Sequence, residues 1–244
     1  METNWKKESG FDIHSYGLTI SMIDSSKIRV EQQAKIEKIS LVSFLNEHQR
    51  KTFANICRRI KRNDNSFYQN KNLHVTLCGF GPLEKEIYEQ IQRKVQEFIE
   101  QHPIKELKIK FDCVRPGAMY TGDKTLRTVK HLGNGTVIAY GDVLSNRDFY
   151  NYTNKLTTFL LNDKTIKSKI GVNFRRKFPA VWCTLGYYDK KECFKICDTL
   201  DQIFNQYSLL SSNGDFNFPV SEIALVKSKY KNLRYSQLIQ NYTP

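Results

Sequence analysis

His74-Val75-Thr76-Leu77 and Trp182-Cys183-Thr184-Leu185 are near copies of one another within a chain of 244 residues. Each is followed by a Gly/aromatic turn, Gly79-Phe80-Gly81 and Gly186-Tyr187-Tyr188, and then by a stretch with helical apolar spacing, so the likeness spans a strand-turn-helix unit. Residues two apart in a strand share a face. The first copy therefore presents an imidazole beside a hydroxyl, and the second an indole beside a hydroxyl. The repeat keeps its frame and changes one half of its chemistry.

Working outward from the first copy, Leu73 to Phe80 reads as a strand that Gly81-Pro82 ends, with Pro82 at the first helical position. Leu83, Ile87, Ile91, Val95, Phe98 and Ile99 then recur at helical spacing up to His102-Pro103, where His102 terminates the helix. Upstream, Tyr16 to Ile23 reads as a strand, Asp24 to Lys38 as either loop or short helix, and Phe44 to Arg62 as a helix whose end carries Arg58, Arg59, Lys61 and Arg62. Between the copies, Leu107 to Val114 alternates as a strand. Leu126 to His131 and Thr136 to Tyr140 form a hairpin around Gly133-Asn134-Gly135, Asn146 to Asn162 forms a helix, and Lys164 to Lys177 is a basic connector.

Around the second copy, Ala180 to Tyr188 is the strand, Asp189 caps a helix from Lys190 to Gln206, and Ile223 to Lys227 with Tyr235 to Ile239 closes the chain as a hairpin. Strands and helices alternate in two similar batches. That is an α+β pattern with mostly antiparallel sheets, and no Gly-, Pro- or Ser-rich linker divides it. The expectation is one domain over residues 1–244 with two interleaved lobes.

Thirty-eight Lys and Arg against twenty-five Asp and Glu give a net charge of +13, which attracts polyanions such as nucleic acid or nucleotides without choosing among them. The six Cys form no C-x-x-C pair and no zinc pattern with His, so neither a disulfide framework nor a metal site is expected. Cys193 and Cys197 read as small core residues on a helical face with Ile196, Leu200, Ile203 and Phe204. Met1 to Gly10 is polar, and no run of about eighteen apolar residues occurs, so the expectation is a cytoplasmic, soluble chain without a membrane partner. No Walker A loop or dinucleotide glycine fingerprint is present, and no cofactor is expected.

An imidazole that moves a proton beside a hydroxyl that holds a nonbridging oxygen suits phosphoryl chemistry. A His-x-Thr standing alone reads first as a structural cross-strand pair. The repetition of its spacing at Trp182-Cys183-Thr184, with the same downstream unit, shifts the reading toward a site. On these two motifs, their flanking elements and the closing Ile223-Ala224-Leu225-Val226-Lys227-Ser228 strand, nearly the whole chain resembles the 2H phosphoesterase superfamily. That superfamily includes the RNA 2′,5′-ligase-like (LigT-like) proteins and cyclic nucleotide phosphodiesterases.

The resemblance implies a bilobal, pseudo-symmetric fold with two mostly antiparallel sheets facing a cleft and helices outside. It implies catalytic roles for His74, Thr76 and Thr184, a metal-independent phosphodiesterase or hydrolase activity, and a monomer that binds RNA or a nucleotide with a 2′,3′-cyclic or 2′,5′ phosphodiester. One histidine of the family pair is missing, because Trp182 stands in its place. An indole nitrogen donates but cannot accept a proton, so the pair is incomplete and the active site degenerate. The alternative is a noncatalytic RNA- or nucleotide-binding protein on the same fold.

Trp182 reads either as a core aromatic or as a base-stacking surface in the cleft, which Phe80, Tyr187 and Tyr188 would extend. Arg175 and Arg176, with Lys177, read either as a solvated connector or as phosphate contacts at the cleft border. Lys227, Lys229, Lys231 and Arg234 with Tyr230 and Tyr235 read as a nucleic-acid surface or a charged hairpin tip. His14, His48, His102 and His131 lie outside both motifs.

Overall fold

The chain alternates short strands with helices in the order β1 (Lys38–Phe44), α1 (Glu47–Asn63), β2 (Tyr68–Gln69), β3 (His74–Gly81), α2 (Lys85–Gln101), β4 (Lys108–Lys110), β5 (Cys113–Pro116), β6 (Thr136–Asp142), α3 (Arg147–Asn162), α4 (Lys164–Lys169), β7 (Ala180–Tyr187), β8 (Asn217–Pro219), β9 (Ile223–Ser228) and β10 (Gln237–Tyr242). The computed structural model describes residues 38–105, 107–116, 135–170, 180–188, 195–196, 198–200, 202, 216–228 and 236–242. The fold is α+β. Among these residues, one antiparallel sheet runs β10-β9-β1-β3-β7-β6-β5 with β2 added on β7, and β4 pairs with β8 in a second, two-stranded sheet.

The two motif strands lie side by side at the middle of the large sheet, joined by a single antiparallel pair, Val75 with Cys183. Outside β3 come β1 and then β9, and outside β7 come β6 and then β5. The two expected sheets are therefore the halves of one sheet, related by a local twofold at Val75–Cys183.

The likeness extends to an irregularity. Between β1 and β3 the register shifts so that Leu41 faces Cys78 while Val42 faces Thr76, leaving Leu77 as an extra residue. Between β6 and β7, Val137 faces Gly186 while Ile138 faces Thr184, leaving Leu185 extra. The fourth residue of each tetrapeptide is thus a β-bulge, which inverts the in/out alternation beyond it. Leu77 and Cys78 both turn to the core in consequence, as do Leu185 and the residue that follows it, Gly186, against Phe67.

Helices cover one face of the sheet. From α1, Phe53, Ile56 and Ile60 are buried, from α2 Ile91, Val95 and Phe98, and from α3 Phe149, Leu156 and Leu160, all in one apolar cluster with Ile39, Leu41, Val75, Cys183 and Leu185. On the opposite face Val42, Ala224 and Val226 form a small cluster of their own with Phe44. The start of α3 is clasped to the sheet by Asn146, whose Oδ1 accepts from Lys110 N at 2.7 Å and whose Nδ2 donates to Lys110 O at 2.8 Å and Asp142 O at 2.9 Å. Gly141 permits this approach, since a Cβ there would collide with the Lys110 carbonyl and the Asn146 amide.

Several boundaries differ from expectation. Phe44 ends a strand, and the first helix starts only at Glu47, because Asn46 and Gln49 form a reciprocal capping box at 2.7 and 2.9 Å. The second helix starts at Lys85 after N-cap Glu84, and not at Pro82. Gly81, at φ 75°, extends β3 to pair with Ile39. Leu107–Val114 divides into β4, which joins β8, and β5, which joins the large sheet. The strand read at Thr136–Tyr140 pairs with β5 and β7. Its expected partner Leu126–His131 lies outside the described residues, as do Tyr16–Ile23, His14, Asp189, Cys193, Cys197, Tyr230, Arg234 and Tyr235.

The basic connector begins as α4, capped by Asp163, whose carboxylate accepts from Thr165 N and Ile166 N and is held below its usual pKa chiefly by the Ile166 bond. The described residues between 195 and 202 are helical. The closing hairpin is present as β9 and β10, with β9 also paired to β1.

Candidate functional site

Stepping one residue either way from the Val75–Cys183 pair brings His74 beside Thr184 and Thr76 beside Trp182. Val75 and Cys183 point into the helix-covered core. By strand alternation the other four residues point to the opposite face, where Thr76, Trp182 and Thr184 are half-buried and His74 is 9% exposed. The local twofold relates His74 to Trp182 and Thr76 to Thr184. The fold thus gathers all four residues that the two tetrapeptides single out.

His74 is held on two sides. Its Nδ1 lies 2.7 Å from the carbonyl oxygen of Asn72. A carbonyl only accepts, so Nδ1 donates and the ring's lone pair is on Nε2. The Phe44 ring meets the imidazole edge-on at a centroid distance of 6.2 Å. Burial pushes the His74 pKa below its ordinary 6.5, opposed in part by the Asn72 bond. The ring is consequently neutral at physiological pH, oriented, and basic at Nε2. Those are the properties of a general base.

Beneath it, the Cys183 thiol hydrogen-bonds the His74 backbone, and burial raises its pKa far above the ordinary thiol range. Cys57, also buried, is pushed up to about 12. These thiols are unreactive packing groups.

The second half places Tyr140 beside Trp182 and Ile138 beside Thr184, and β5 places Arg115 beside Ile138 and Cys113 beside Tyr140. Ile138 and Tyr140 are buried yet lie outside the helix-covered core cluster, as their position on the opposite face requires. The Arg115 guanidinium carbon lies 4.0 Å from the centre of the Tyr140 ring. Two cavities flank the four central residues. One opens where β3 and β7 diverge and is lined by Thr76, Trp182, Tyr150 and Thr153 among others. The other adjoins His74 and is lined by Phe44, Asn72, Asn46, Arg50 and Glu222 among others.

Phe80 is not brought to this face. The bulge at Leu77 turns it into the main core at 4% exposure, so it offers no stacking surface. Tyr188 is likewise a core residue, whereas Tyr187 is buried outside that cluster and pairs with Thr136. Arg175 and Arg176 lie outside the described residues. His48 is exposed on α1, and His102 is the C-cap of α2 with its ring 4.7 Å from that of Phe98. Sequence reasoning missed Phe44, Asn72, Tyr140 and Arg115. Only Asn72, two residues before His74, stood close enough along the chain to suggest itself. Among the described residues, no group of three or more His, Cys, Asp or Glu is placed to hold a metal, and no helix is long and apolar enough to cross a membrane.

No protein-family model and no curated protein matches the chain. Solved structures do. One described as a phosphoesterase aligns over 86% of this chain and 98% of its own at 13% identity and a TM-score of 0.47. E. coli LigT complexed with ATP aligns over 85% and 97% at 12% identity and a TM-score of 0.47. Kluyveromyces marxianus Usb1 aligns over 79% and 93% at 11% identity and a TM-score of 0.44. All three are 2H phosphoesterase-family structures, and it is to these that the architecture of this chain is similar.

Proposed function

We propose that the protein is a 2H phosphoesterase-like protein that acts on RNA ends or nucleotides carrying a 2′,3′-cyclic or 2′,5′ phosphodiester. The observation that carries this reading is the convergence of His74, Thr76 and Thr184 on one face around the Val75–Cys183 pair, with the His74 Nδ1 committed to Asn72. In this reading His74 Nε2 takes the proton from the attacking hydroxyl or water as the oxygen bonds to phosphorus. The Thr76 and Thr184 hydroxyls donate to nonbridging oxygens. The bond from phosphorus to the leaving oxygen breaks in the same displacement, and because the Trp182 indole cannot protonate that oxygen, solvent supplies the proton. Loss of one such group removes about 10²- to 10⁴-fold in rate, so turnover is slow.

A second reading, a noncatalytic RNA- or nucleotide-binding protein, is favoured by the half-buried Trp182 on the face opposite the helices, an indole suited to stacking on a base. The two are separated by turnover of 2′,3′-cyclic nucleotides and 2′,5′-linked dinucleotides by the native protein, His74→Ala and Trp182→His. Turnover abolished by the first substitution and raised by the second supports the enzyme. Absence of turnover in every variant, with binding weakened by Trp182→Ala, supports the binder.

A further inference from the structure

The two halves of the site differ at a second place. Under the local twofold, β9 corresponds to β5 and β1 to β6, because each pair lies in the same order outside its motif strand. Val42, partner of Thr76, corresponds to Ile138, partner of Thr184. Ala224, partner of Val42, corresponds to Arg115, partner of Ile138. The half that keeps the histidine thus has alanine where the half that lacks it has arginine.

Arg115 is directed inward. Strand spacing puts its backbone about 10 Å from β7, two strands away, and an extended arginine spans most of that gap. Its guanidinium lies over Tyr140, the immediate neighbour of Trp182, 4.0 Å from the ring centre, so the side chain runs along the cleft face toward the place of the missing histidine. It is only 9% exposed. A cation so far removed from water interacts strongly with an anion brought into the same cleft. Its five N–H groups form a fork, so a contact within the sheet leaves donors for a ligand. The Tyr140 face holds the plane of that fork in place.

We infer that Arg115 is a phosphate-binding residue of the cleft, supplying from the second half the positive charge that an imidazolium at position 182 would have carried. The inference rests on the proposed phosphodiester site and deepens it. The ligand class is a nucleotide whose phosphate is met by His74, Thr76 and Thr184 from the centre and by Arg115 from the Trp182 side. A guanidinium stays protonated at all physiological pH, so it stabilises phosphoryl charge without replacing the lost proton donor.

The test is titration of the native protein, Arg115→Gln and Arg115→Lys with adenosine 2′,3′-cyclic phosphate, inorganic phosphate and adenosine, with thermal melting to establish that each variant is folded. Arg115→Gln weakens both phosphate-bearing ligands by about 10- to 100-fold, the range of a charge-assisted hydrogen bond, and leaves adenosine unchanged. Arg115→Lys, which keeps the charge and loses the fork, falls between. Unchanged phosphate binding by folded Arg115→Gln overturns the inference, and so does equal loss of adenosine binding, which marks a structural role. Should Arg115→Lys alone fold, a dissociation constant equal to the native one overturns the bidentate contact. Turnover that depends on His74 but not on Arg115 removes this inference alone. Arg115-dependent phosphate binding without turnover removes the catalytic reading alone.

Discussion

Val75 and Cys183 are the one described pair that joins β3 to β7, and both side chains are buried beneath the face that carries His74 and Trp182. The geometry of the site is therefore a property of this seam. Val75→Ala removes apolar volume on the axis itself, and a cost of about 2 kcal/mol is expected from urea unfolding. A loss of ligand affinity should accompany it. The same truncation at exposed Leu238 should cost less than about 0.5 kcal/mol.

The depressed pKa of His74 gives a signed pH dependence. Between the native value and the unfolded value near 6.5, the unfolded chain binds more protons than the folded one. The corresponding stability is complete above pH 6.5 and is lost as pH falls through the native pKa. His74→Gln removes this contribution, so the difference in urea midpoint between the native protein and the variant should shift against the native protein from pH 7.5 to pH 5. Proton NMR of the imidazole should show a midpoint below 6.5. A midpoint above it would exclude a ring whose charged form is disfavoured by burial.

Trp182 sits half-buried between Tyr140 and Thr76. If a base stacks there, Trp182→Ala weakens nucleotide binding by roughly 1 to 3 kcal/mol, while Trp182→Phe retains much of it. Equilibrium dialysis with a labelled nucleotide avoids reliance on the fluorescence of the residue being replaced.

Asn146 donates or accepts three hydrogen bonds that tie β4, β6 and the start of α3 together. Asn146→Ala leaves backbone groups of Lys110 and Asp142 without those partners, and a loss of roughly 3 kcal/mol is expected. Asn46→Ala at the capping box of α1 costs about 1 kcal/mol. Thermal melting of the two variants should rank them in that order.

Thiol labelling provides a test of burial and register. Cys113 is half-buried on an edge strand, whereas Cys57, Cys78 and Cys183 are buried. Cys113→Ser should delete a fast-labelling site in the native protein, and Cys183→Ser should delete none.

The tetrapeptide pair, the helices α2 and α3, and the closing hairpin were legible because each carries its own periodic pattern. β1 was not. Its burial sequence lacks clean alternation because Val42 is buried on the face opposite Ile39 and Leu41, and Phe44 and Leu45 adjoin the helical spacing of α1 with only Asn46 between. Phe80 was misplaced because of the bulge in its own strand, since a period of two carried through Leu77 puts it on the wrong face. Arg115 is invisible locally. Its meaning arises only from a chain of strand partners, Arg115 to Ile138 to Thr184, which no window of sequence contains.

The extra residue at Leu77 and at Leu185 acts as a counting device. Side chains in these strands are assigned inward or outward by parity, and one surplus position resets the parity immediately after each motif. Substitutions such as histidine to tryptophan leave that count untouched, so either half can change its chemical content while the frame stays in step. A single insertion or deletion within either tetrapeptide would instead exchange inside for outside in that half. Length, more than composition, is what the architecture demands of these eight positions.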